Sequence, residues 1–188
     1  PNSYNSVENI TPLETPLSST INGAALATPV FLSLYVENDL RLDKYFAETD
    51  EKGFRKNKKA GSNNYLCTFR VGEIYLTAAE AAARLGELSQ ARTRLLELMR
   101  KRYAPEAYEA KSVVVNAMDK EALVQEILDE RARELAFEGH RWFDLRRSTR
   151  PRLEKVLDGT RYVLEENDAR YTLAIPKEAI EANPGLLN

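Results

Sequence analysis

From Val71 onward, apolar residues recur at helical spacing. Val71, Ile74, Tyr75, Ala78, Ala82 and Leu85 fall on one face of a helix. The alanines at 78, 79, 81, 82 and 83 favour helix and carry little bulk, so a second helix can approach closely. Gly86 ends this segment, because glycine accepts the left-handed conformation just past a helix terminus. Leu88 leads into a second stripe of Ala91, Leu95, Leu98 and Met99 within Ser89 to Arg102. So short a connection forces antiparallel neighbours, and the pattern predicts a helical hairpin over 71–102. Pro105 stops the second helix. Residues 104–118 read as a linker, with Val113, Val114 and Val115 as a short extended piece. Asp119 then caps a third helix, Lys120 to Glu138, striped by Leu123, Ile127, Leu128 and Leu135, with Val124 beside them. Glu121 sits in its first turn, where the helix dipole favours an acid. Gly139 closes it, and a fourth helix runs from about Arg141 to Ser148, with Pro151 beyond. The two helical pairs, 71–102 and 120–149, are expected to bury Ile74, Tyr75, Ala78, Ala82, Leu95, Leu98, Leu123, Ile127, Leu135, Trp142 and Leu145.

Either side of this block the periodicity fades. Residues 1–28 are rich in Asn, Ser, Thr and Pro and read as a loop or extended arm. Thr28-Pro29 is a helix-start signal ahead of the apolar stretch Val30 to Val36, which Asn38-Asp39 breaks before Arg41 to Phe46. Residues 50–64 hold Lys52, Arg55, Lys56, Lys58 and Lys59 with Gly53 and Gly61. A solvated surface loop is favoured there over a site for an acidic partner. Near the C-terminus, Tyr162 to Leu164 and Tyr171 to Ile175 flank Glu165 to Ala169 and predict a β-hairpin. Pro176 opens one helical turn, Lys177 to Ile180, and Asn183-Pro184-Gly185 follows. The fold class is therefore mainly α: tetratricopeptide-like helical hairpins with irregular loops and a small C-terminal β-hairpin. Residues 1–28 form the arm, 71–149 the helical scaffold and 160–188 the hairpin and C-terminal segment.

Composition narrows the function. The 27 basic and 29 acidic residues nearly cancel, and the pI of about 5.7 argues against a protein that binds nucleic acid by neutralising phosphates. No apolar run is long enough to span a bilayer. One cysteine excludes disulfide frameworks and multi-thiolate metal sites. One histidine excludes His-rich metal centres and obliges any Ser-His-Asp site to use His140. No metal and no cofactor is implied. Cys67, inside Tyr65-Leu66-Cys67-Thr68-Phe69, reads as a buried structural thiol. The chain opens on Pro1 with neither a signal peptide nor an initiator Met, so it is expected to be processed or truncated.

Three features are candidates for chemistry. Glu130, Glu134 and Glu138, four residues apart, lie on one helical face about 6 Å from each other. Such a separation suits a glycosidase, and Glu134 with Glu138 would be its carboxylate pair. The stronger reading is an ion-pair network with Arg131, Arg133, Arg141, Arg146 and Arg147, locking the third helix to the fourth. A general acid needs a raised pKa, and guanidinium neighbours push it down. The second feature is His140-Arg141-Trp142-Phe143-Asp144. Trp142 suits stacking on a sugar ring, but core packing with its N–H bonded to a neighbour is favoured. His140 follows the Gly139 break, where a capping or surface role outweighs catalysis. The third is the hairpin itself: Ala79, Ala81, Gly86, Ala91 and Leu95 carry the spacing of a tetratricopeptide repeat, which would make a protein–protein adaptor. A second copy at the repeat's 34-residue period is not clear in the sequence, because 105–118 interrupts it.

Four ordered blocks resemble the C-terminal part of the SusD/RagB family of outer-membrane nutrient-binding lipoproteins. They are Arg70-Val71-Gly72-Glu73-Ile74-Tyr75-Leu76 running into Ala79-Glu80-Ala81; Glu130 through Arg147; Tyr171-Thr172-Leu173-Ala174-Ile175-Pro176-Lys177-Glu178-Ala179-Ile180; and Asn183-Pro184. Asp39-Leu40-Arg41-Leu42 through Phe46 fits the family's upstream segment, so the resemblance covers about 28–188. It implies an all-α repeat scaffold and a surface-exposed protein that binds oligosaccharides, or other nutrients, without catalysis. It also implies delivery to a TonB-dependent transporter and a lipid anchor on an N-terminal part outside this sequence, since Cys67 lacks the anchor context. No ligand-binding residue is carried over, because the family's ligand site is built from loops outside these blocks.

Overall fold

The computed structural model describes residues 9–14, 26–59, 65–157, 159–183 and 185; the side chains of 9–14, 65–68 and 157 lie outside that description, and with them the expectation for the Cys67 thiol. The chain forms two compact units, 1–141 and 142–188.

The first unit is organised around four helices. Helix α3 (Val71–Leu85) and helix α4 (Leu88–Met99) form the expected hairpin. Gly86 turns it at φ 86°, donating its N–H to the freed carbonyls of the last helical turn. Ala79, Ala82, Ala83 and Ala91 are all buried, so the small-residue seam allows the close approach predicted for it. The apolar face is rotated from the expected one. Leu76, Ala79 and Ala83 are buried, whereas Ile74 and Leu85 are exposed and Tyr75 and Ala78 only half-buried. Period counting alone does not place the stripe when alanines fill several adjacent positions. The face that turns inward is the one that packs on both α4 and α6 (Lys120–Glu134).

The segment 104–118 is not a linker. It is helix α5 (Pro105–Ala117), packed against α4. Pro105 does not terminate a helix but opens this one at its first position, where a missing N–H costs nothing. Val115 is buried, while Val113 and Val114 face out. From Val71 to Pro105 is 34 residues, the tetratricopeptide period, but α6 packs chiefly on α3 and not on α5. Helix α6 begins as expected, with Asp119 Oδ1 accepting the Ala122 N–H at 2.9 Å. It ends at Glu134, one turn earlier than expected, because Phe137 adopts φ 62° and Gly139 φ 85°.

Ahead of these helices, strand β1 (Asn9–Glu14) pairs antiparallel with β5 (Tyr65–Arg70), giving part of the extended arm a partner. Short strands β2 (Leu26–Ala27), β3 (Phe46–Thr49) and β4 (Arg55–Asn57) form a sheet in the order β2-β4-β3. Thr28 caps helix α1 (Pro29–Leu32) by accepting the Phe31 N–H. Helix α2 (Arg41–Tyr45) follows. Phe31, Tyr35, Phe46 and Phe137 meet edge-to-face with centroids 5.5–6.3 Å apart. The positive φ of Phe137, a strain of about 1–3 kcal/mol, is held in place by this cluster.

In the second unit, β6 (Leu153–Leu157) pairs with β7 (Thr160–Leu164). The hairpin thus lies earlier than 162–175. The Asp-Gly pair at 158–159 in the sequence is the stronger hairpin signal, and Gly159 takes φ 77° beside the Leu157–Thr160 pairing. Tyr171 instead sits in a 3-10 turn, Ala169–Tyr171, capped by Asp168. Helix α7 spans His140–Arg147, and α8 (Lys177–Ala182) ends the described elements.

Candidate functional site

The stripe that begins with Leu123 and Ile127 continues at helical spacing through Glu130 and Glu134, so α6 carries two carboxylates into its own core face. Both side chains have no solvent exposure. A buried carboxylate must be neutralised, and the rest of the unit supplies the cations.

Backbone pairing brings the first of them in. Leu40 N–H donates to Arg102 O at 2.9 Å and Ala104 N–H to Asn38 O at 3.0 Å, with an antiparallel bridge between Asp39 and Tyr103. This places Arg41, Arg102 and Tyr103 over the end of α6. Arg41 Nη1 donates to Glu130 Oε1 at 2.6 Å and to Glu134 Oε2 at 3.1 Å. Its Nε and Nη2 form a fork onto Asp39 at 2.9 and 2.8 Å. The Tyr103 hydroxyl donates to Glu130 Oε2 and its ring lies 5.1 Å below the Arg41 guanidinium. Arg102 donates to both Glu134 oxygens, at 2.9 and 3.0 Å. Arg70, the residue just before α3, donates from Nη1 to Glu134 Oε1 at 2.5 Å and from Nε to Glu138 Oε2 at 3.0 Å. Arg133 joins Glu130 to Glu126, and Lys111 on α5 reaches the same Glu126 at 3.1 Å. Lys59 completes the set, donating to Glu138 and to the carbonyls of Glu134 and Ala136.

Burial alone would raise the Glu134 carboxyl. The guanidiniums of Arg70, Arg41 and Arg102 outweigh that and hold it well below the ordinary carboxylate range. Glu130 is depressed for the same reason, burial being overcome by Arg41 and Arg133. Burial lowers Lys59 and its arginine neighbours alike; the carboxylates outweigh it for Arg70, whereas for Lys59 desolvation prevails and brings the ammonium down to about 8, with Glu138 opposing. A carboxylate locked ionised cannot protonate a leaving group, and one with all its lone pairs taken by guanidinium N–H groups is a poor nucleophile. Glu134 is therefore not arranged as the acid or nucleophile of a glycosidase, and the Glu138 carboxylate is engaged by Arg70 and Lys59.

The expected role of these residues as internal glue is met, but the expected partners are not. Of the five arginines proposed, Arg133 pairs with Glu130, Arg131 donates to Thr77, and Arg147 pairs with Asp144 within α7 itself. The principal cations are Arg41, Arg70, Arg102 and Lys59, all distant in sequence, and they join α6 to the N-terminal elements and to the segment after α4 rather than to α7. Lys59, expected in a solvated loop, instead has a largely buried side chain. The signal for such partners was the apolar stripe itself: acids on a core face require bases from elsewhere.

The remaining candidates fall outside the network. Trp142 is 37% exposed, not core, and stacks on the buried Tyr171 at 5.2 Å and 13°. His140 Nδ1 lies 3.6 Å from Glu73 Oε1 in the surface role expected of it. Among the described residues, no cluster of three His, Cys, Asp or Glu side chains has the arrangement of a metal site. Nor, among them, is any helix long and apolar enough to cross a membrane.

The family model described as the SusD family matches residues 32–188. The chain belongs to the SusD family. This SusD-family chain is similar to two solved structures. One is a SusD-like carbohydrate binding protein from Bacteroides vulgatus, at 20% identity over 84% of this chain and 40% of that one, with a TM-score of 0.56. The other is a SusD superfamily protein from Bacteroides fragilis, at 22% identity over 91% of this chain and 37% of that one, with a TM-score of 0.60. These likenesses show a shared fold, and the SusD-family chain spans about two fifths of the length of either neighbour. Comparison with curated proteins returns no match.

Proposed function

We propose that this chain is the C-terminal scaffold of a non-catalytic receptor that captures glycans at the outer membrane and hands them to a TonB-dependent transporter. The observation that carries the reading is family membership across 32–188, a span that includes the helices and the buried network. The likeness to a carbohydrate binding protein supports the ligand class. The state of Glu130 and Glu134, ionised and fully engaged, supports binding without bond cleavage.

The test is calorimetry of the full-length protein against neutral trisaccharides, with a reducing-end assay run in parallel. Saturable binding to at least one sugar and no new reducing ends are expected. Release of reducing ends would overturn the non-catalytic reading. Binding of peptides with no response to any sugar would favour a tetratricopeptide-type adaptor, the rival that the α3–α4 hairpin and the 34-residue offset between α3 and α5 suggest. Co-purification with a TonB-dependent transporter tests the delivery step.

A further inference from the structure

Helices α4 and α5 diverge on one side to leave a cleft of about 560 Å³, within the range of sites that hold small ligands. Its wall includes Tyr103 and Tyr108, with Arg100, Glu109 and Asn116 at the opening. The wall is rigid where it matters. The Tyr103 hydroxyl is tied to Glu130 and Arg41, and Tyr108 packs on the core formed by α3–α6. The rim is unspent, since the side chains of Arg100, Glu109 and Asn116 make no hydrogen bond or ion pair among the described residues.

We infer that this cleft is a saccharide subsite, holding a one- or two-ring segment of an uncharged glycan between Tyr108 and the polar rim of Arg100, Glu109 and Asn116. The inference rests on the glycan-binding reading and gives it a location. A sugar ring presents C–H groups on one face and hydroxyls at its edge. An aromatic ring covers the first, and planar guanidinium, carboxylate and amide groups pair with neighbouring hydroxyls as donors and acceptors. One cation and one anion at the rim cancel, so the site has no excess charge to recruit a phosphate or an acidic peptide.

The experiment is calorimetry of the full-length protein with maltotriose, cellotriose, xylotriose and laminaritriose, on wild type and on Tyr108→Ala, Arg100→Ala and Asn116→Ala. Arg100 and Asn116 are exposed and lie outside the buried network, so those variants keep the fold even if Tyr108→Ala loosens it. Weakening of about tenfold or more in Tyr108→Ala and in at least one rim variant, with unchanged melting of the rim variants, is expected. If wild type binds a sugar and all three variants bind it equally, the subsite lies elsewhere; the inference fails while the receptor reading stands. If wild type binds none of the four sugars, both fail together.

Discussion

Glu134 receives N–H donors from three guanidiniums and has no access to water. Removing its charge leaves Arg41, Arg70 and Arg102 facing an amide, with two oxygen acceptors reduced to one. Uncompensated buried charge costs about 3–5 kcal/mol when one partner of such a set is deleted. Glu134→Gln should therefore lose about that much stability in urea denaturation followed by circular dichroism. Glu97→Gln, at an exposed pairing with Arg94 of 3.5 Å, is the control and should change by about 0.5 kcal/mol or less. A Glu134→Gln protein as stable as wild type would mean that the carboxylate is held for chemistry and not for folding. The same contrast explains why charge at this site is arginine-rich. A guanidinium donates in a fixed plane to two carboxylates at once, as Arg70 does to Glu134 and Glu138, whereas an ammonium gains less for the same desolvation.

At the level of elements, the network is what fixes α3 against α6, and Gly72 shows how tightly. A Cβ added there would sit 2.9 Å from Glu134 Oε1 and 3.0 Å from Arg70 Nη1, the two ends of one ion pair. Neither can retreat, because each is pinned by further partners. Gly72→Ala should thus destabilise by about 1–3 kcal/mol although alanine is the better helix former by about 1 kcal/mol. Denaturant midpoints of the two proteins decide it, and a gain in stability would show that the helices have room to separate. Much of this architecture was legible in the sequence. Gly86, the alanine seam, the Asp119 cap and the Thr28-Pro29 start each act through a local preference that needs no tertiary information. The elements misread were those where a local signal has two outcomes. Pro105 ends a helix or begins one, and the β-branched run at 113–115 suits a strand unless one of its residues has a core to fill, as Val115 does. The site was half legible. The carboxylates lie on a core stripe visible in the sequence. Their cations come from positions as far away as Arg41, which backbone pairing at 38–41 and 102–104 delivers and which no spacing rule encodes.

Over the whole molecule these local choices set how stability depends on pH. Glu130 and Glu134 are depressed below their ordinary 4.5 in the folded chain, so below about pH 4.5 the unfolded chain takes up protons that the folded chain refuses. Their contribution is complete above that pH and is lost as pH falls towards their folded values, at about 1.4 kcal/mol per pH unit for each carboxylate. Lys59 acts at the other end. Its folded value of about 8 lies below its ordinary 10.5, so between those limits the unfolded chain holds a proton the folded chain has released, and stability rises with pH. Above pH 10 the sign reverses. Tyr35, Tyr45 and Tyr103, raised chiefly by burial, stay protonated in the fold while their unfolded counterparts ionise, and stability falls again. Urea denaturation between pH 3 and 11 should accordingly show an acid-side decline, a rise from about 8 to 10 and a fall beyond. In Lys59→Met the alkaline rise should vanish while the acid limb keeps its slope. If the rise survives that substitution, Lys59 is not the group responsible, and its ammonium is neutralised by Glu138 more fully than its burial implies.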